Sequence, residues 1–251
     1  MTLLQTKKHQ PRRRTGPLEL RFLILTVGIT ICLLIGGLET ILVLSTTFPG
    51  TTKGYAYTIG PTYTLDFTAD AADGWIQNTS RTYTTAQEAP KGTVSDINTN
   101  IIIGQNSTYS VERGYLFFNT SLIPDTANIT TATLRLYGAS DSSTKDFLLL
   151  VYSGQPTYPT KPLQPTDFQA NKYTTNVTKT IFNTTSFSTT GYNNISLMTT
   201  AINKTGFTKL IIWSSRDANI MQPQAGVTEV VTVYANEKGS DYQPQLVVVY
   251  H

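Results

Sequence analysis

The sequence has almost no cysteine or histidine, and this scarcity removes several chemistries at once. Its single cysteine is Cys32, so no intramolecular disulfide can form. Its two histidines are His9, near the N-terminus, and His251, the last residue. The region between them therefore offers no Ser-His-Asp triad and no ordinary zinc site, and its one thiol lies in an apolar run.

Charge is also scarce, at 14% of residues, and it is distributed unevenly. Residues 1–44 hold six basic and two acidic side chains, whereas the rest of the chain holds thirteen and fourteen. The main domain thus lacks the positive surface of a nucleic-acid-binding protein.

Thr and Ser together number 60, and Tyr numbers 14. This composition favours strands over helices.

The first 44 residues have the pattern of a membrane signal-anchor. Residues 1–21 form a basic leader, and the apolar run over 22–44 is long enough to cross a bilayer, which takes about 20 residues. The basic flank predicts a cytoplasmic N-terminus and a C-terminal domain outside the cell. The alternative is a cleaved signal peptide, which would secrete the domain. Residues 45–62, rich in Thr, Gly and Pro, predict an extended tether.

Residues 63–251 contain short strand-like runs separated by turn-rich segments. Nine runs predict strands, at 63–67, 74–77, 113–118, 132–137, 146–152, 195–198, 207–213, 227–234 and 245–250. One brief helix is expected over 197–204. The predicted fold class is therefore all-β, an antiparallel jelly-roll β-sandwich preceded by one N-terminal transmembrane helix.

Eight of the fourteen asparagines begin an Asn-X-Ser/Thr triplet, where chance would give about three or four. These candidates for N-glycosylation are Asn78, Asn106, Asn119, Asn128, Asn176, Asn183, Asn194 and Asn203. The excess indicates an exported glycoprotein. The frequent use of Asn and Thr in turns and strand edges accounts for part of it.

One group of side chains near the start of the domain could bind a metal ion. Asp66, Asp70 and Asp73 lie close together in sequence, and calcium prefers hard oxygen ligands of this kind. The alternative is a set of solvated turn carboxylates, which we favour because the spacing does not match an EF-hand. No other cofactor is expected.

The candidate ligand-binding residues are Trp213, Arg216 and Asp217. Trp213 falls on the same strand face as Lys209, so a solvent-facing strand would present the indole ring for stacking on a sugar. A core position is the alternative for this tryptophan. Arg216 and Asp217, which follow the strand, either contact a ligand or form a local ion pair, and the ion pair is the simpler expectation.

Paired carboxylates are the one catalytic device that the composition leaves open, for glycoside cleavage above all. No motif selects a pair from the available acids, which are Asp96, Glu112, Asp141, Asp146, Asp167, Asp217 and Glu229. The sequence therefore predicts a protein that is not an enzyme.

Five ordered segments between residues 63 and 250 resemble the DNRLRE-type, disaggregatase-repeat-like jelly rolls, domains of the carbohydrate-binding module kind on exported proteins. They are RGYLFFNTSLIP at 113–124, ITTATLRLY at 129–137, INKTG at 202–206, SSRD at 214–217 and PQLVVVY at 244–250. This chain has Asn119 where such domains usually have an acidic residue. The resemblance implies a non-catalytic sandwich that binds polysaccharide or serves as a structural module of the envelope.

The leading hypothesis is a membrane-anchored, surface-displayed, non-catalytic module that binds polysaccharide or envelope glycans in adhesion. It has no nucleic-acid partner. The alternative is a structural surface subunit of a cell envelope, filament or virion, which self-associates through its β-sandwich. A polysaccharide-cleaving enzyme that uses paired carboxylates is the third hypothesis.

Overall fold

The computed structural model describes residues 27–31, 40–48 and 51–251, with side-chain surroundings from residue 60 onward. The chain divides into two units, Met1–Gly60 and Pro61–His251. In the first unit, the described residues form a three-stranded antiparallel sheet. Its strands are β1 (Val27–Ile31), β2 (Thr40–Phe48) and β3 (Thr51–Ile59).

The transmembrane helix expected over residues 22–44 is not shown. Residues 27–31 and 40–44 of that range lie in β1 and β2, and the remainder, like the basic leader, lies outside the described residues. A run of Ile, Val, Leu and Thr suits a strand as well as a helix, because apolar content without clear periodicity does not distinguish them. Among the described residues, no helix is both long and apolar enough to cross a membrane. The expected tether also contains β3.

Thirteen strands and two short helices make up the Pro61–His251 unit. The strands are β4 (Tyr63–Thr68), β5 (Gly74–Thr79), β6 (Thr93–Ser95), β7 (Asn100–Asn106), β8 (Ser110–Asn119), β9 (Ile129–Asp141), β10 (Leu148–Ser153), β11 (Thr175–Asn176), β12 (Phe182–Asn183), β13 (Tyr192–Leu197), β14 (Phe207–Ser214), β15 (Thr228–Tyr234) and β16 (Gln245–Tyr250). The helices are α1 (Tyr83–Gln87) and α2 (Ser215–Ala218). The unit is thus an all-β, antiparallel fold with little helix.

All nine runs predicted as strands contain strands, but the helix expected over 197–204 is wrong. That range holds the end of β13 and one 3-10 turn, Thr199–Ala201. The buried side chains of Leu197 and Ala201 anchor this turn to the core. The sequence also missed β6, β7, β11 and β12. Of these, β7 contains three consecutive isoleucines, which show no alternation.

The strands form two layers joined by the long strand β9. The front layer has the order β4-β16-β9-β13, and the back layer is centred on β8 and β14. The first part of β9 pairs with β16 and β13, whereas Gly138–Asp141 pairs with β15 in the back layer. Strand β8 pairs with β14, β5 and β7, so it is the structural centre of the back layer.

Two separate hydrophobic cores result from this arrangement. The first lies between the layers, where Leu134 and Leu246 of the front layer pack in one cluster with Leu116 and Leu210 of the back layer. The second covers the outer face of the back layer, where segments 83–90 and 163–173 pack over side chains of β8 and β14. The back layer is therefore buried on both faces, consistent with a β-sandwich that carries an additional cover.

Candidate functional site

An open groove of about 690 Å³ lies where the covering segments leave the back layer partly accessible. Its size falls within the ~300–1,000 Å³ that is usual for small-ligand sites. Aromatic and amide side chains line it, including Gln87, Tyr152, Gln169, Asn171, Tyr173 and Trp213. Among the described residues, Glu88 is the one charged residue in its lining, and none of them is basic. The lining that they form is therefore apolar and hydrogen-bonding in character.

Trp213 lies at the floor of this groove and is only 4% exposed. The alternation along β14 agrees with the sequence, because Leu210 and Ile212 enter the core between the layers, whereas Trp213 faces the other way. That other face is covered by segments 83–90 and 163–173 instead of being exposed to solvent. The half-buried ring of Tyr152 stands 5.0 Å from the indole at 69°, and Tyr152 is more exposed than either Tyr173 or Trp213.

Beneath the floor, Arg113 and Asp217 form a fully buried ion pair. Two guanidinium nitrogens of Arg113, Nε and Nη2, donate to the Asp217 carboxylate at 2.6 and 2.7 Å. The remaining donors reach backbone carbonyls, with Nη2 also contacting Gln87 O at 3.0 Å and Nη1 contacting Phe168 O. The guanidinium group lies 4.2 Å from the Phe168 ring centroid and 5.2 Å from that of Trp213.

The ion pair keeps Arg113 charged in an environment that disfavours charge. Burial by itself would lower the pKa of Arg113, but the Asp217 carboxylate raises that pKa above its ordinary value.

Asp217 is directed inward by α2, which begins immediately after β14. Ser214 caps this helix by accepting a hydrogen bond from the backbone N–H of Arg216 at 3.0 Å.

The structure separates the three residues that the sequence grouped as a ligand site. Trp213 lines the groove, Asp217 is buried below it with Arg113, and Arg216 points elsewhere. Arg216 contacts Glu229 at 3.5 Å and borders a different, smaller cavity of about 350 Å³. The expected local pair between Arg216 and Asp217 is not formed, because Asp217 pairs with a residue 104 positions away. Sequence reasoning missed Tyr152, Tyr173 and Gln87, because long-range packing brings them together.

The three aspartates proposed as calcium ligands do not form one cluster. Asp66 is exposed on β4, and Asp70 pairs with Lys161 at 3.1 Å. Asp73 is fully buried and accepts a hydrogen bond from the backbone N–H of Asn236 at 3.0 Å. In the described part of the chain, no three His, Cys, Asp or Glu side chains converge to hold a metal ion.

Two buried carboxyl groups have strongly raised pKa values. Burial and, to a smaller extent, the neighbouring Glu237 raise the pKa of Asp73 to about 8, although the hydrogen bond from Asn236 lowers it. Burial also raises the pKa of Glu112 to about 7, although hydrogen bonds from Ser110 and Gln77 lower it. Both groups are therefore protonated in the folded protein at pH values where exposed carboxyls are charged.

The eight glycosylation triplets differ in accessibility. Five asparagines are exposed, namely Asn119, Asn128, Asn176, Asn183 and Asn194. The other three, Asn78, Asn106 and Asn203, are partly buried. Two of these use Nδ2 in hydrogen bonds to backbone carbonyls, since Asn78 donates to Lys91 O and Asn203 donates to Phe207 O. An oligosaccharide transferred to the folded protein would meet less obstruction at the first five.

Comparison with known proteins shows no family for this chain. No family model and no curated protein matches it, so the DNRLRE-type resemblance is not confirmed. One matched solved structure is described as the "structural basis for the promiscuous specificity of the carbohydrate-binding modules from the beta-sandwich super family". The match has 11% identity, covers 84% of this chain and 71% of that chain, and has a TM-score of 0.24. A likeness this weak carries no argument about the ligand.

The first prediction concerns the ion pair below the groove. Asp217→Asn removes the carboxylate and leaves the buried charge of Arg113 without a counter-ion, so we expect a loss of about 3–5 kcal/mol in the free energy of unfolding. Urea denaturation measures this loss. The control is Asp70→Asn, which breaks the half-exposed pair with Lys161 and should cost at most about 1 kcal/mol. Equal losses in the two variants would contradict the central role of the buried pair.

The second prediction concerns pH. The folded-state pKa of Asp73 is raised above its ordinary value of 3.8, so the folded protein holds a proton that the unfolded chain releases. The contribution of Asp73 to the free energy of unfolding is therefore greatest below about pH 4. It falls as the pH rises towards about 8 and is constant above that pH. The slope is roughly 1.4 kcal/mol per pH unit for one proton.

Asp73→Asn, which mimics the protonated carboxyl, should remove this one-proton slope from urea unfolding measured between pH 5 and about 7.5. Asp66→Asn, at an exposed position, serves as the control and should leave the slope as it is in the original chain. An unchanged slope in Asp73→Asn would show that Asp73 is ionised in the folded protein.

Proposed function

We propose that the Pro61–His251 unit is a non-catalytic, glycan-binding domain whose ligand occupies the groove. The observation that carries this proposal is the combination of aromatic rings with polar groups in one open site. Half-buried Tyr152 supplies apolar ring surface next to the buried rings of Tyr173 and Trp213, and Gln169, Asn171 and Thr174 supply hydrogen-bonding groups at the rim. Sugars present both apolar ring faces and hydroxyl groups, so they match such a wall.

A binding role suits this groove better than glycoside cleavage. Cleavage needs two carboxyl groups facing one cleft about 5 to 9 Å apart. Of the described residues that line the groove, Glu88 alone carries a carboxylate. Asp167 and Asp217 lie nearby but are fully buried and already engaged, with Thr160 and Arg113 respectively. These observations support the non-catalytic proposal.

We also propose that the domain is displayed at the cell surface, and this part rests on the sequence. The basic leader and the apolar run over 22–44 support a membrane anchor with the domain outside. The five exposed triplets support N-glycosylation at those asparagines. The ordered segments between 113 and 250 support membership in the DNRLRE-type jelly rolls.

The third prediction tests the groove. The full chain, solubilised in detergent, should bind one or more polysaccharides on a glycan array, and Tyr152→Ala should weaken that binding at least about fivefold, since an aromatic anchor at a binding site typically contributes more than about 1 kcal/mol. Tyr63→Ala, which removes an exposed tyrosine elsewhere, is the matched control. Melting temperatures confirm that both variants are folded.

Two results would count against this proposal. One is a folded chain that binds no glycan at all. The other is equal weakening by Tyr152→Ala and Tyr63→Ala, which would place binding outside the groove.

A second candidate function is a structural subunit that self-associates, and the open edge of β4 favours it. Strand β4 ends the front layer and pairs only with β16 among the described strands. Its Tyr63 is 51% exposed and stacks on Tyr250 with 5.5 Å between ring centroids. An open strand edge is a template for pairing with a strand of another chain.

The fourth prediction tests this edge. Analytical ultracentrifugation of the chain in detergent should show concentration-dependent dimers, and the double variant Thr64→Lys with Thr68→Lys should be monomeric, because lysines on an edge strand oppose pairing. Thr200→Lys, at an exposed position in another segment, is the control. A chain that is monomeric at every concentration would remove the structural-subunit candidate.

A further inference from the structure

One glycosylation triplet lies next to the groove, where the short strand β11 pairs with β10. Asn176 of β11 is the register partner of Tyr152 of β10. Directly opposed residues on antiparallel strands share one face of the sheet, with their Cβ atoms about 4.5–5.5 Å apart. Asn176 is exposed, and Tyr152 is the half-buried tyrosine in the lining of the groove. The triplet at 176–178 therefore begins beside the most exposed aromatic ring of that lining.

The neighbours of these two residues show which face of the sheet they occupy. Val151 and Val177, which adjoin Tyr152 and Asn176 in sequence, both belong to the core between the layers. Successive side chains of a strand point to opposite faces, so Tyr152 and Asn176 lie on the outer face of the back layer. Thr174, two residues before Asn176, lines the groove on that face. The side chain of Asn176 is therefore on the groove side of the sheet.

The amide of Asn176 has room for a covalently attached sugar. Its Oδ1 accepts a hydrogen bond from the backbone N–H of Thr178 at 2.9 Å. Its Nδ2, the atom to which an N-linked sugar is joined, donates no hydrogen bond within the residues that the structure describes. A sugar on Nδ2 would thus displace no contact of the described fold.

The hydroxyl of the same triplet determines when a sugar could be attached. Thr178 is buried, and its hydroxyl donates to Val151 O at 3.2 Å. A transferase recognises the hydroxyl residue of the triplet as well as the asparagine. Transfer to Asn176 therefore requires a chain in which β11 is not yet paired with β10, and the exposed Asn176 then keeps the sugar outside as the strands pair.

We propose that Asn176 carries an N-linked glycan whose first sugars pack on the ring of Tyr152 and cover that side of the groove. This inference rests on the N-glycosylation and the glycan-binding function proposed above, and it adds regulation of the groove by the chain's own sugar. Sugars have apolar ring faces, which match the surface of an aromatic ring. A ligand tethered by a short link has an effective concentration on the order of millimolar, so it competes with ligands from solution even when its own contacts are weak.

Asn183 provides a matched comparison on a strand that also pairs with β10. It is opposite Leu148, at the other end of β10, and it borders the smaller cavity of about 350 Å³ instead of the groove. Both Asn183 and the hydroxyl residue of its triplet, Thr185, are exposed. A glycan at Asn183 should therefore leave the groove unaffected.

Mass spectrometry and NMR test the modification and its contact without any added ligand. The full chain, made in a host that attaches N-linked glycans and solubilised in detergent, should yield a 176–178 peptide that carries a glycan. The ring signals of Tyr152, identified by their loss in Tyr152→Phe, should show nuclear Overhauser effects to the first sugar. Asn176→Gln should abolish these effects and shift the Tyr152 signals, whereas Asn183→Gln should change neither.

Glycan-array binding tests the consequence for the groove. Loss of the sugar, either in Asn176→Gln or in the original chain made by a host without the transferase, should strengthen binding at least about fivefold because a tethered competitor is removed. Asn183→Gln should leave binding unchanged. Melting temperatures confirm that both variants, which alter exposed positions, are folded.

The outcomes separate this inference from the proposed function. An unmodified Asn176 in a chain that is modified at other triplets would overturn the inference, as would Tyr152 signals that are identical in the original chain and Asn176→Gln. Equal array binding with and without the sugar at Asn176 would overturn the regulatory role. A chain without sugar at every triplet would overturn both the inference and the proposed N-glycosylation. Absence of glycan binding by the sugar-free chain would overturn the proposed binding function, while the Tyr152 signals would still decide where the attached sugar lies.

Discussion

The buried ion pair between Arg113 and Asp217 is the interaction on which the candidate site depends. Taking two charges out of water is costly, and only good geometry with every remaining donor satisfied offsets that cost. Arg113 meets this requirement by contacting Asp217 in two places and the carbonyls of Gln87 and Phe168. One side chain of β8 thereby connects the end of α1, the covering segment that contains Phe168, and the start of α2.

This connection joins the floor of the groove to the paired strands of the back layer, although the rim of the groove comes from loops. Strand β14 pairs with β8 on one side and β10 on the other, and the strands β8, β10 and β14 supply Arg113, Tyr152 and Trp213 respectively. The cover is attached independently by Asp167, whose backbone carbonyl accepts hydrogen bonds from the hydroxyls of Tyr115 and Tyr173 at 3.1 and 3.0 Å. A site positioned on paired strands holds its polar groups more precisely than one built on loops alone.

The structure also contains carboxyl groups whose burial is not offset by a positive partner. Asp73 and Glu112 each have one oxygen without a hydrogen-bond partner in the described structure, and their pKa values are raised to about 8 and about 7. Arg113 shows the opposite solution, since its contacts with the Asp217 carboxylate raise its pKa against the effect of burial. Burial is similar in these cases, and the presence or absence of a counter-ion decides which protonation state the fold favours.

Local patterns were enough to predict the all-β class and the nine principal strands, because alternation and turn residues act over a few neighbouring positions. The same patterns placed Trp213 and Lys209 on one strand face. They did not reveal that segments 83–90 and 163–173 cover this face, that Asp217 pairs with Arg113 instead of its neighbour Arg216, or that Gln87 lines the same groove as Trp213. These outcomes are contacts between residues far apart in sequence, and they are set by packing and by the cost of burying charge. The sequence by itself determined the strands and the residue types available for a site, whereas only the tertiary structure decided which of them share a groove.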